Sequence, residues 1–395
     1  MDKPHYPFEP IGSIDKLART LGVSPAVMEA ISNRIDESYS EYELPPHPKT
    51  GKVRTVFEAK HELKRIQKRI NSRIFELIEY PTYLQGGIKA TPKRDYVENA
   101  NMHVGANSLI SLDIKNFYPN IKASQVFNIF KQLFNFPDAL AKILTKLTTY
   151  KGTVPQGGCT STYLANLVFF NSEYHLVSAF RGQGIVYSRL LDDVVLSSPK
   201  VLSNSECTDA IQKVAGMFKK YEFRLNSSKT KVEFRGNSNS EFNVTGLWIE
   251  HSKPKIRKKE RRYIRQLVFN CELKYIQSKH SDDYHIFWNK TSGLVAKLER
   301  LKHPQAKKYR DRLKQVLPIY DDVNIRKIIK LTNKALKVPK EEHSRYGRIQ
   351  NCNRILYRLG ILGRSEAKLA KNLRRKLKSH YSTIPTKKEY WFGTA

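Results

Sequence analysis

Three aspartates occupy positions in which carboxylates could do chemistry. Asp113 follows an apolar stretch, Ser108–Leu112, that predicts a buried strand, and Asp192 and Asp193 lie together between two further apolar runs. Adjacent carboxylates repel each other and are costly to bury, and a divalent cation would relieve them. Mg²⁺ prefers a few carboxylates completed by substrate phosphates. The pattern indicates metal-assisted phosphoryl transfer, although an Asp-Asp pair is also common in ordinary turns.

The charge of the chain indicates a polyanionic partner. Its 395 residues carry 70 Lys and Arg against 37 Asp and Glu, a net charge of +33. Residues 251–395 hold 38 of these basic residues and only 12 of the acidic ones. The cations fall between apolar residues at helical spacing, with tyrosines interleaved. Nucleic acid is the favoured partner, and an anionic membrane surface is the alternative.

Length and composition bound the class of protein. With 40% hydrophobic and 11% aromatic residues, the chain can bury a sizeable core and is not mostly disordered. No apolar run reaches the roughly eighteen residues of a membrane span, and Met1–His5 lacks a signal pattern, so a cytoplasmic protein is expected. The cysteines are widely spaced, which predicts reduced thiols rather than zinc ligands or disulfides: Cys159, Cys207, Cys271 and Cys352.

Hydrophobic periodicity predicts the elements that must position the aspartates. Ser13 and Ser24 each begin a short helix, and residues 40–58 are extended around a turn at 47–51. Further helices are predicted over 59–79, 122–148, 158–180 and 206–221. Strands are predicted over 105–115, over 184–197 with a bend at 190–193, and over 230–235 and 242–249. Antiparallel strands with helices on one face favour an α+β layer, followed by a helical remainder.

A series of short motifs resembles those of reverse transcriptases, and among them the retron and retron-like bacterial group. The motifs occur in the family's order over about residues 15–250. They are Lys52-Val53-Arg54, the segment 112–121 around Asp113, Val154-Pro155-Gln156-Gly157, Leu190-Leu191-Asp192-Asp193 and Leu225-Asn226-Ser227-Ser228-Lys229-Thr230. Two more resemble retron signatures: Asn99-Ala100-Asn101-Met102-His103 and Val244-Thr245-Gly246.

This resemblance implies a right-hand polymerase fold, in which fingers and a palm with an antiparallel sheet precede a helical thumb and a basic helical extension. The implied divisions are an N-terminal helical segment (1–45), fingers and palm (46–250), a thumb (251–316) and an RNA-binding extension (317–395). The implied activity is RNA-directed DNA synthesis, which adds dNTPs to a primer 3′-hydroxyl by two-metal catalysis.

The resemblance also implies roles for individual residues. Two Mg²⁺ ions, or Mn²⁺ in their place, would be held by Asp113, Asp192, Asp193 and the carbonyl of Ile114. Lys229 matches the general acid that protonates pyrophosphate. Residues implied to bind the dNTP are Arg54, one of Lys93 and Arg94, Tyr118 as the gate against a 2′-hydroxyl, Gln156 and Gly157. Residues of the two retron signatures are implied to contact RNA, with a structural role as the alternative for His103: Asn99, His103, Val244, Thr245 and Gly246.

The implied partners are a structured non-coding RNA that provides template and primer, the DNA product, dNTPs, and an effector protein or a second copy of the chain, with no membrane. The implied role is antiviral defence against phage. One departure is Leu190, which replaces the tyrosine usual before the Asp-Asp pair. The alternatives are a group-II-intron-like reverse transcriptase, an RNA-dependent RNA polymerase, a template-independent or protein-primed DNA synthesiser, and a non-catalytic RNA-binding scaffold in a defence complex.

Overall fold

The computed structural model describes residues 2–47, 51, 53–237 and 242–393. The chain divides into two compact units, Met1–Lys255 and Ile256–Ala395. Within the described ranges, neither unit has a helix that is long and apolar enough to cross a membrane.

The first unit begins with two short helices that start where the sequence predicts. In α1 (Ile14–Leu21) and α2 (Pro25–Asn33), Ser13 and Ser24 accept hydrogen bonds from backbone N–H groups of the first turn. Each serine thereby satisfies a donor that has no partner within its helix. Both predicted helices are confirmed.

An antiparallel hairpin follows these helices. It consists of β1 (Tyr39–Leu44) and β2 (Arg54–Ala59), which confirms the extended structure predicted for this region. The predicted turn falls largely on residues 48–50, which lie outside the described residues, as does Lys52 of the first motif.

A five-stranded sheet forms the centre of the first unit. Its strands are β3 (Leu84–Gln85), β4 (Ser108–Asp113), β5 (Val186–Leu190), β6 (Asp193–Ser198) and β7 (Lys231–Phe234). Their order is β3-β5-β6-β4-β7, and every neighbouring pair is antiparallel except β3 with β5. A separate small hairpin joins β8 (Asn243–Val244) and β9 (Leu247–Trp248). The predicted α+β class is confirmed.

Helices pack around this sheet and share its apolar core. α10 begins at a capping box between Ser203 and Glu206 and spans the helix predicted near 206–221. The helices predicted over 59–79, 122–148 and 158–180 are shorter or interrupted, and two short helices, Tyr96–Asn101 and Phe117–Asn120, were not predicted. Among the described residues of this unit, the helices after the first two are α3 (His61–Arg73), α4 (Tyr96–Asn101), α5 (Phe117–Asn120), α6 (Ala123–Asn128), α7 (Asp138–Thr148), α8 (Ser161–Leu167), α9 (Glu173–Gly182) and α10 (Asn204–Lys220).

The helix predicted over 59–79 is wrong at its C-terminal end. α3 ends at Arg73, and a 3₁₀ turn over Phe75–Leu77 follows it. The change of direction brings the ring of Phe75 into the core, where it stacks on Tyr163 at 5.6 Å between centroids. Leu77, the last residue of this turn, is 38% exposed. Tertiary packing of an aromatic ring thus overrides the helical periodicity.

Two other long helices are interrupted. The segment predicted as one helix over 122–148 forms α6, a π-helical turn at Ile129–Leu133 and α7, which begins after Pro137. The first helical segment ends at Leu133, Asn135 has a left-handed φ of +53°, and Pro137, which has no N–H group and cannot continue a preceding helix, comes directly before α7. The segment over 158–180 likewise forms α8 and α9, joined by turns.

The second unit is helical, as predicted. Its first three helices pack on one another, and the next three share an apolar cluster that includes Ile328, Cys352 and Leu377. The predicted boundary between thumb and extension, at residues 316 and 317, stays a prediction. The helices are α11 (Lys258–Ser278), α12 (Asp282–Arg300), α13 (Ala306–Gln315), α14 (Asp322–Ala335), α15 (Tyr346–Leu362), α16 (Ala367–His380) and α17 (Lys387–Phe392).

Candidate active site

The register of the central sheet brings the three aspartates together. Asp113 is the last residue of β4 and lies opposite Asp193, the first residue of β6. The N–H of Ile114 donates to the carbonyl of Asp192 at 2.9 Å, which ties the turn to the end of β4. Asp113 and Asp193, 80 positions apart in the sequence, thereby meet at the ends of two adjacent inner strands of the sheet.

Electrostatic repulsion accompanies this arrangement. Asp113 is only 7% exposed. Burial raises the pKa of Asp192, and the nearby charge of Asp113 raises it further. Surrounding protein atoms displace water from the carboxyl of Asp193, and this desolvation raises its pKa. The charges of the other two aspartates add to the effect, and the pKa reaches about 6. The cluster therefore favours the approach of a cation.

Lys229 and Asn226 already contact one of these carboxylates. Lys229 Nζ lies 2.5 Å from Asp113 Oδ1, and the Asn226 side chain donates to Asp113 Oδ2 at 3.3 Å. The N–H of Asn226 also donates to the Asp113 carbonyl at 2.8 Å, so the Leu225–Thr230 motif is attached to the end of β4. Sequence reasoning singled out Lys229 and gave Asn226 no role.

The donor set has the chemistry that a hard divalent cation prefers, namely carboxylate oxygens with a carbonyl beside them. In the part of the chain that the structure describes, no three His, Cys, Asp or Glu side chains converge closely enough to hold a metal ion. The ammonium group of Lys229 forms an ion pair with one carboxylate oxygen of Asp113. These oxygen ligands are of the type that a divalent ion binds, but as placed they do not converge on one point, and Lys229 occupies one oxygen of Asp113.

Tyr118 and Arg54 lie within electrostatic range of Asp192. The partly buried Tyr118 ring packs on Phe117, with 5.8 Å between centroids. Burial, and then the charge of Asp192, raises the pKa of Tyr118 to about 12. Arg54, exposed at the start of β2, is near enough for its charge to oppose the rise in the pKa of Asp192. Two residues predicted to contact the dNTP thus lie near the aspartates.

Gln156 and Gly157 are attached to the β1–β2 hairpin. The N–H of Phe57 donates to the carbonyl of Gln156 at 2.8 Å. Gly157 has a φ of +102°, and a Cβ added there would lie 3.1 Å from the carbonyl oxygen of Phe57. Glycine is therefore required by the approach of the β2 backbone as well as by the left-handed conformation.

Replacing Gly157 with alanine is expected to destabilise the protein by more than about 1 kcal/mol, because the new Cβ meets backbone at an unfavourable φ. Gly216→Ala is the matched control, because Gly216 lies inside α10 with nothing within 4 Å of an added Cβ. That control is expected to gain up to about 1 kcal/mol. Urea unfolding measures both values, and equal stability of the two variants would contradict the argument.

The two adjacent basic residues Lys93 and Arg94 have different environments. Arg94 donates to the carbonyls of Tyr80 at 3.0 Å and Leu84 at 3.1 Å, and also to that of Pro81. Its guanidinium therefore holds the 80–84 segment and is not available to a triphosphate as placed. Lys93 is exposed. Of the two alternatives, the structure favours Lys93 for contact with an anion.

The two retron-like signatures pack against each other. Thr245 Oγ1 donates to the carbonyl of Tyr96 in α4 at 2.9 Å. Asn99, His103 and Val244 are at most 1% exposed. Because such side chains have almost no accessible surface, the prediction that these three contact RNA is corrected to a structural placement. Thr245 and Gly246 retain accessible surface.

His103 joins the two strands that flank the Asp-Asp turn. Its ring nitrogens contact Ser188 Oγ in β5 and Ser197 Oγ in β6, each at 2.7 Å. Burial lowers the pKa of His103 to about 3, so the folded ring stays neutral. A neutral imidazole has one donor and one acceptor, and both are used here. His103 therefore stabilises the sheet behind the aspartates.

Acidification is expected to destabilise the protein through His103. In the unfolded chain histidine gains a proton below about pH 6.5, and the buried ring does not, so stability is lost as the pH falls below that value. The loss amounts to about 2 kcal/mol at about pH 5. Urea unfolding of His103→Gln at about pH 7 and about pH 5 should give a smaller pH effect than in the wild type. The control is His175→Gln, on an exposed residue of α9; identical pH effects in all three proteins would contradict this role.

A buried ion pair beside the turn escaped the sequence reasoning. Arg189 in β5 pairs with Glu173 at the start of α9, with the two side chains 0% and 1% exposed. Tyr187 also donates to Glu173 at 2.7 Å. The feature of the sequence that could have indicated this pair is Arg189 itself, a single arginine within a predicted apolar strand.

Leu190, the departure from the usual tyrosine, packs against Gly86 beside β3. A Cβ added to Gly86 would lie 3.0 Å from Leu190 Cγ. The carbonyl of Gly86 accepts a hydrogen bond from the Asn166 side chain at 2.9 Å. Leu190 is therefore enclosed on one side by a loop that is tied to α8.

Among solved structures, telomerase from Candida albicans in complex with a fragment of telomeric RNA aligns with this chain. The alignment covers 90% of this chain and 70% of that one, with 11% identity and a TM-score of 0.38.

The sequence comparisons are more specific. Residues 45–264, more than half of the chain, match the family model of reverse transcriptases (RNA-dependent DNA polymerases). The chain is 42% identical to the Retron Se72 reverse transcriptase of Salmonella heidelberg (strain 579083-10), over 95% of this chain and 98% of that protein. It is 29% identical to the Retron Ec48 reverse transcriptase of Escherichia coli, over 91% of this chain and 89% of that protein. The chain therefore belongs to the retron group of the reverse transcriptase family and is an RNA-directed DNA polymerase.

Proposed function

We propose that this chain copies a bound, structured non-coding RNA into DNA, with Asp113, Asp192 and Asp193 as ligands of divalent ions. The observation that carries the site assignment is the strand register, which sets Asp113 opposite Asp193 and bonds the carbonyl of Asp192 to Ile114. An Asp-Asp pair in an ordinary surface turn would not have a third carboxylate from another strand beside it.

Reverse transcriptases as a family depend on divalent metal ions. Here we propose two Mg²⁺ ions, replaceable by Mn²⁺, held by the three carboxylates and the carbonyl of Ile114. Ions held by these residues would supply activation of the attacking 3′-hydroxyl and stabilisation of the leaving pyrophosphate. Burial, and then the charges of the neighbouring aspartates, raise the pKa values of Asp192 and Asp193, and a bound cation would relieve both effects.

Lys229 is proposed as the general acid. Its side chain is 58% exposed, so it has room to move from Asp113 towards a pyrophosphate. Its Nζ would then donate a proton to the leaving oxygen as negative charge develops there. The contact with Asp113 supports the role because it places the ammonium group at the aspartate cluster.

The remaining neighbours of the cluster are proposed to bind the dNTP. Arg54 and Lys93 would neutralise the triphosphate, since cations stabilise charge spread over transferring phosphates. Tyr118 would exclude a 2′-hydroxyl by the bulk of its ring. Gln156 and Gly157 would line the nucleotide pocket where their segment meets β2.

The non-coding RNA is proposed to bind mainly the second unit. Residues 251–395 have 38 basic and 12 acidic residues, and neutralising phosphates with such cations gives strong, salt-dependent binding. Thr245 and Gly246 of the first unit are proposed as further contacts. We also propose a role in antiviral defence, together with an effector protein or a second copy of the chain. This role rests on membership of the retron group.

Sequencing the nucleic acid that copurifies with the protein tests this proposal. The wild type is compared with an Asp192→Ala/Asp193→Ala variant expressed in the same way. The expected result is one defined RNA in both preparations and complementary DNA in the wild type alone, whose 5′ end identifies the primer. A repetitive DNA without an RNA match would favour a template-independent synthesiser. Bound RNA without DNA in either preparation, even with dNTPs and Mg²⁺, would contradict the enzymatic assignment.

A further inference from the structure

Arg189 is a buried charge in the strand that leads to the Asp-Asp turn. Its side chain is 0% exposed, and that of its partner Glu173 is 1% exposed. Removing two ions from water is costly, and their attraction compensates only when further hydrogen bonds satisfy both groups. An apolar pair of similar volume would often be equally stable or more so. The pair therefore needs an explanation beyond stability.

The hydrogen bonds of the guanidinium supply that explanation. Nε and Nη2 bind the two carboxylate oxygens of Glu173 at 2.5 and 2.8 Å. The other N–H groups donate to backbone carbonyls, those of Ala165 at 3.0 Å, Asn166 at 2.9 Å and Leu191 at 3.2 Å. Every N–H group of Arg189 thus has an acceptor. Three of the five acceptors are backbone carbonyl groups, so Arg189 restrains the position of the main chain around it.

These carbonyls belong to two parts of the candidate site. Leu191 is the turn residue before Asp192 and has a left-handed φ of +59°. Ala165 and Asn166 lie at the C-terminal end of α8, which begins shortly after the Gln156–Gly157 segment. A single planar cation therefore links the turn that carries two aspartates to the helix that follows the proposed nucleotide pocket.

We propose that Arg189 is a positioning residue for nucleotide addition, which holds the Leu191 carbonyl and the end of α8 as one rigid unit. The bond to Leu191 sets the direction in which the chain enters Asp192. Glu173 orients the guanidinium by binding two of its edges. The inference rests on the proposed function, because it concerns how the proposed metal ligands are held.

The test replaces Arg189 with lysine. Lysine keeps the charge opposite Glu173, but its single ammonium group cannot span the carboxylate and both sets of carbonyls. The rate of single-nucleotide addition is expected to fall about 100-fold, because small displacements of reacting groups have effects of that size. The Mn²⁺ concentration that half-saturates the protein, measured by electron paramagnetic resonance, is expected to rise about tenfold.

Arg181→Lys is the matched control. It is the same substitution in α9, where Arg181 pairs with Asp2 at the surface and is 62% exposed. Its rate and Mn²⁺ affinity are expected to stay within about twofold of wild type, because surface pairs contribute little. A folded Arg189→Lys variant that behaves like this control would overturn the proposal.

A second variant covers the case in which Arg189→Lys does not fold. Arg189→Met combined with Glu173→Gln removes both charges and leaves an acceptor for Tyr187, so no ion remains buried without its partner. The double variant is expected to fold and still to lose nucleotide addition and Mn²⁺ affinity. Recovery of both properties in the folded double variant would mean that the pair only balances charge, and the proposal would be wrong.

The Mn²⁺ titration also separates this proposal from the proposed function. If the wild type binds Mn²⁺ but adds no nucleotide to any primer, the proposed function fails. The positioning role is then decided by affinity alone: a weaker Mn²⁺ site in Arg189→Lys than in Arg181→Lys supports it, and equal sites contradict it.

Discussion

Replacing Asp192 and Asp193 together with asparagine is expected to slow nucleotide addition by at least about 1,000-fold, equivalent to about 4 kcal/mol of transition-state stabilisation. Asparagine keeps the size of the side chain but removes the negative charge that attracts a divalent ion. Only Asp113 would remain charged, and Lys229 already lies against it. Rapid-quench primer extension on a defined RNA template measures the rate.

The control for this experiment is Asp209→Asn in α10, an exposed residue that pairs with Lys213. It makes the same chemical change away from the sheet edge and is expected to leave the rate unchanged. RNA binding by the Asp192→Asn/Asp193→Asn variant should also equal that of the wild type. A double variant that retains more than about one tenth of the rate would contradict the role of these carboxylates as metal ligands.

The same double variant is expected to be more stable than the wild type above about pH 6 in the absence of divalent ions. In the folded protein the pKa of Asp193 is raised to about 6 from 3.8, so folding opposes its ionisation. Ionised Asp193 therefore destabilises the folded wild type. This loss of stability is absent below the pKa of the unfolded chain and grows with pH until the pH exceeds the pKa of the folded protein. Thermal melts at several pH values measure the difference. Equal melting temperatures at neutral pH would contradict the repulsion.

Replacing Tyr118 with alanine is expected to lower the preference for dNTP over rNTP by about 100-fold, within the range that steric discrimination in a pocket provides. The ring is half-buried against Phe117 and lies near Asp192, where the sugar of a bound nucleotide would lie under the proposed function. Removing it opens space for a 2′-hydroxyl. The ratio of kcat/KM for matched dNTP and rNTP measures the preference.

Tyr118→Phe is the matched control, because it removes the hydroxyl and keeps the ring. In the wild type the pKa of Tyr118 is about 12, so the hydroxyl is neutral at working pH. The expected effect of the ring is therefore steric rather than ionic. The phenylalanine variant should discriminate like the wild type. Discrimination lost equally in both variants would point to the hydroxyl, and discrimination lost in neither would remove Tyr118 from the nucleotide pocket.

The elements that depend on local sequence were predicted well. Ser13 and Ser24 begin helices because their side chains satisfy N–H groups of the first turn, which is decided within a few residues. The short apolar run before Asp113 likewise predicts a strand from a few neighbouring residues, and β4 forms there. The helix breaks after Arg73 and before Asp138 were missed, because packing of aromatic rings and the geometry of Pro137 compete with periodicity.

The candidate site was predicted in part. The motifs pointed to the three aspartates and Lys229; the strand register brings the Asp-Asp turn to Asp113, and a side-chain contact brings Lys229 to Asp113. Single residues without a periodic pattern were harder to assign: the sequence left Lys93 and Arg94 as alternatives for binding phosphate, and only the structure shows that backbone carbonyls accept hydrogen bonds from Arg94. His103 lies in a recognisable motif, but only the structure places its ring between two serines.

By itself, the sequence determined the family, the mixed fold class and the concentration of charge beyond residue 250, and it selected the three aspartates as candidate metal ligands. These follow from residue types and from spacing along the chain. Only the tertiary structure decided which polar groups are buried and what they contact, as in the pair of Arg189 with Glu173. The reason is physical: burial and hydrogen bonding depend on residues that are distant in sequence, and the energy of a charge depends on that environment.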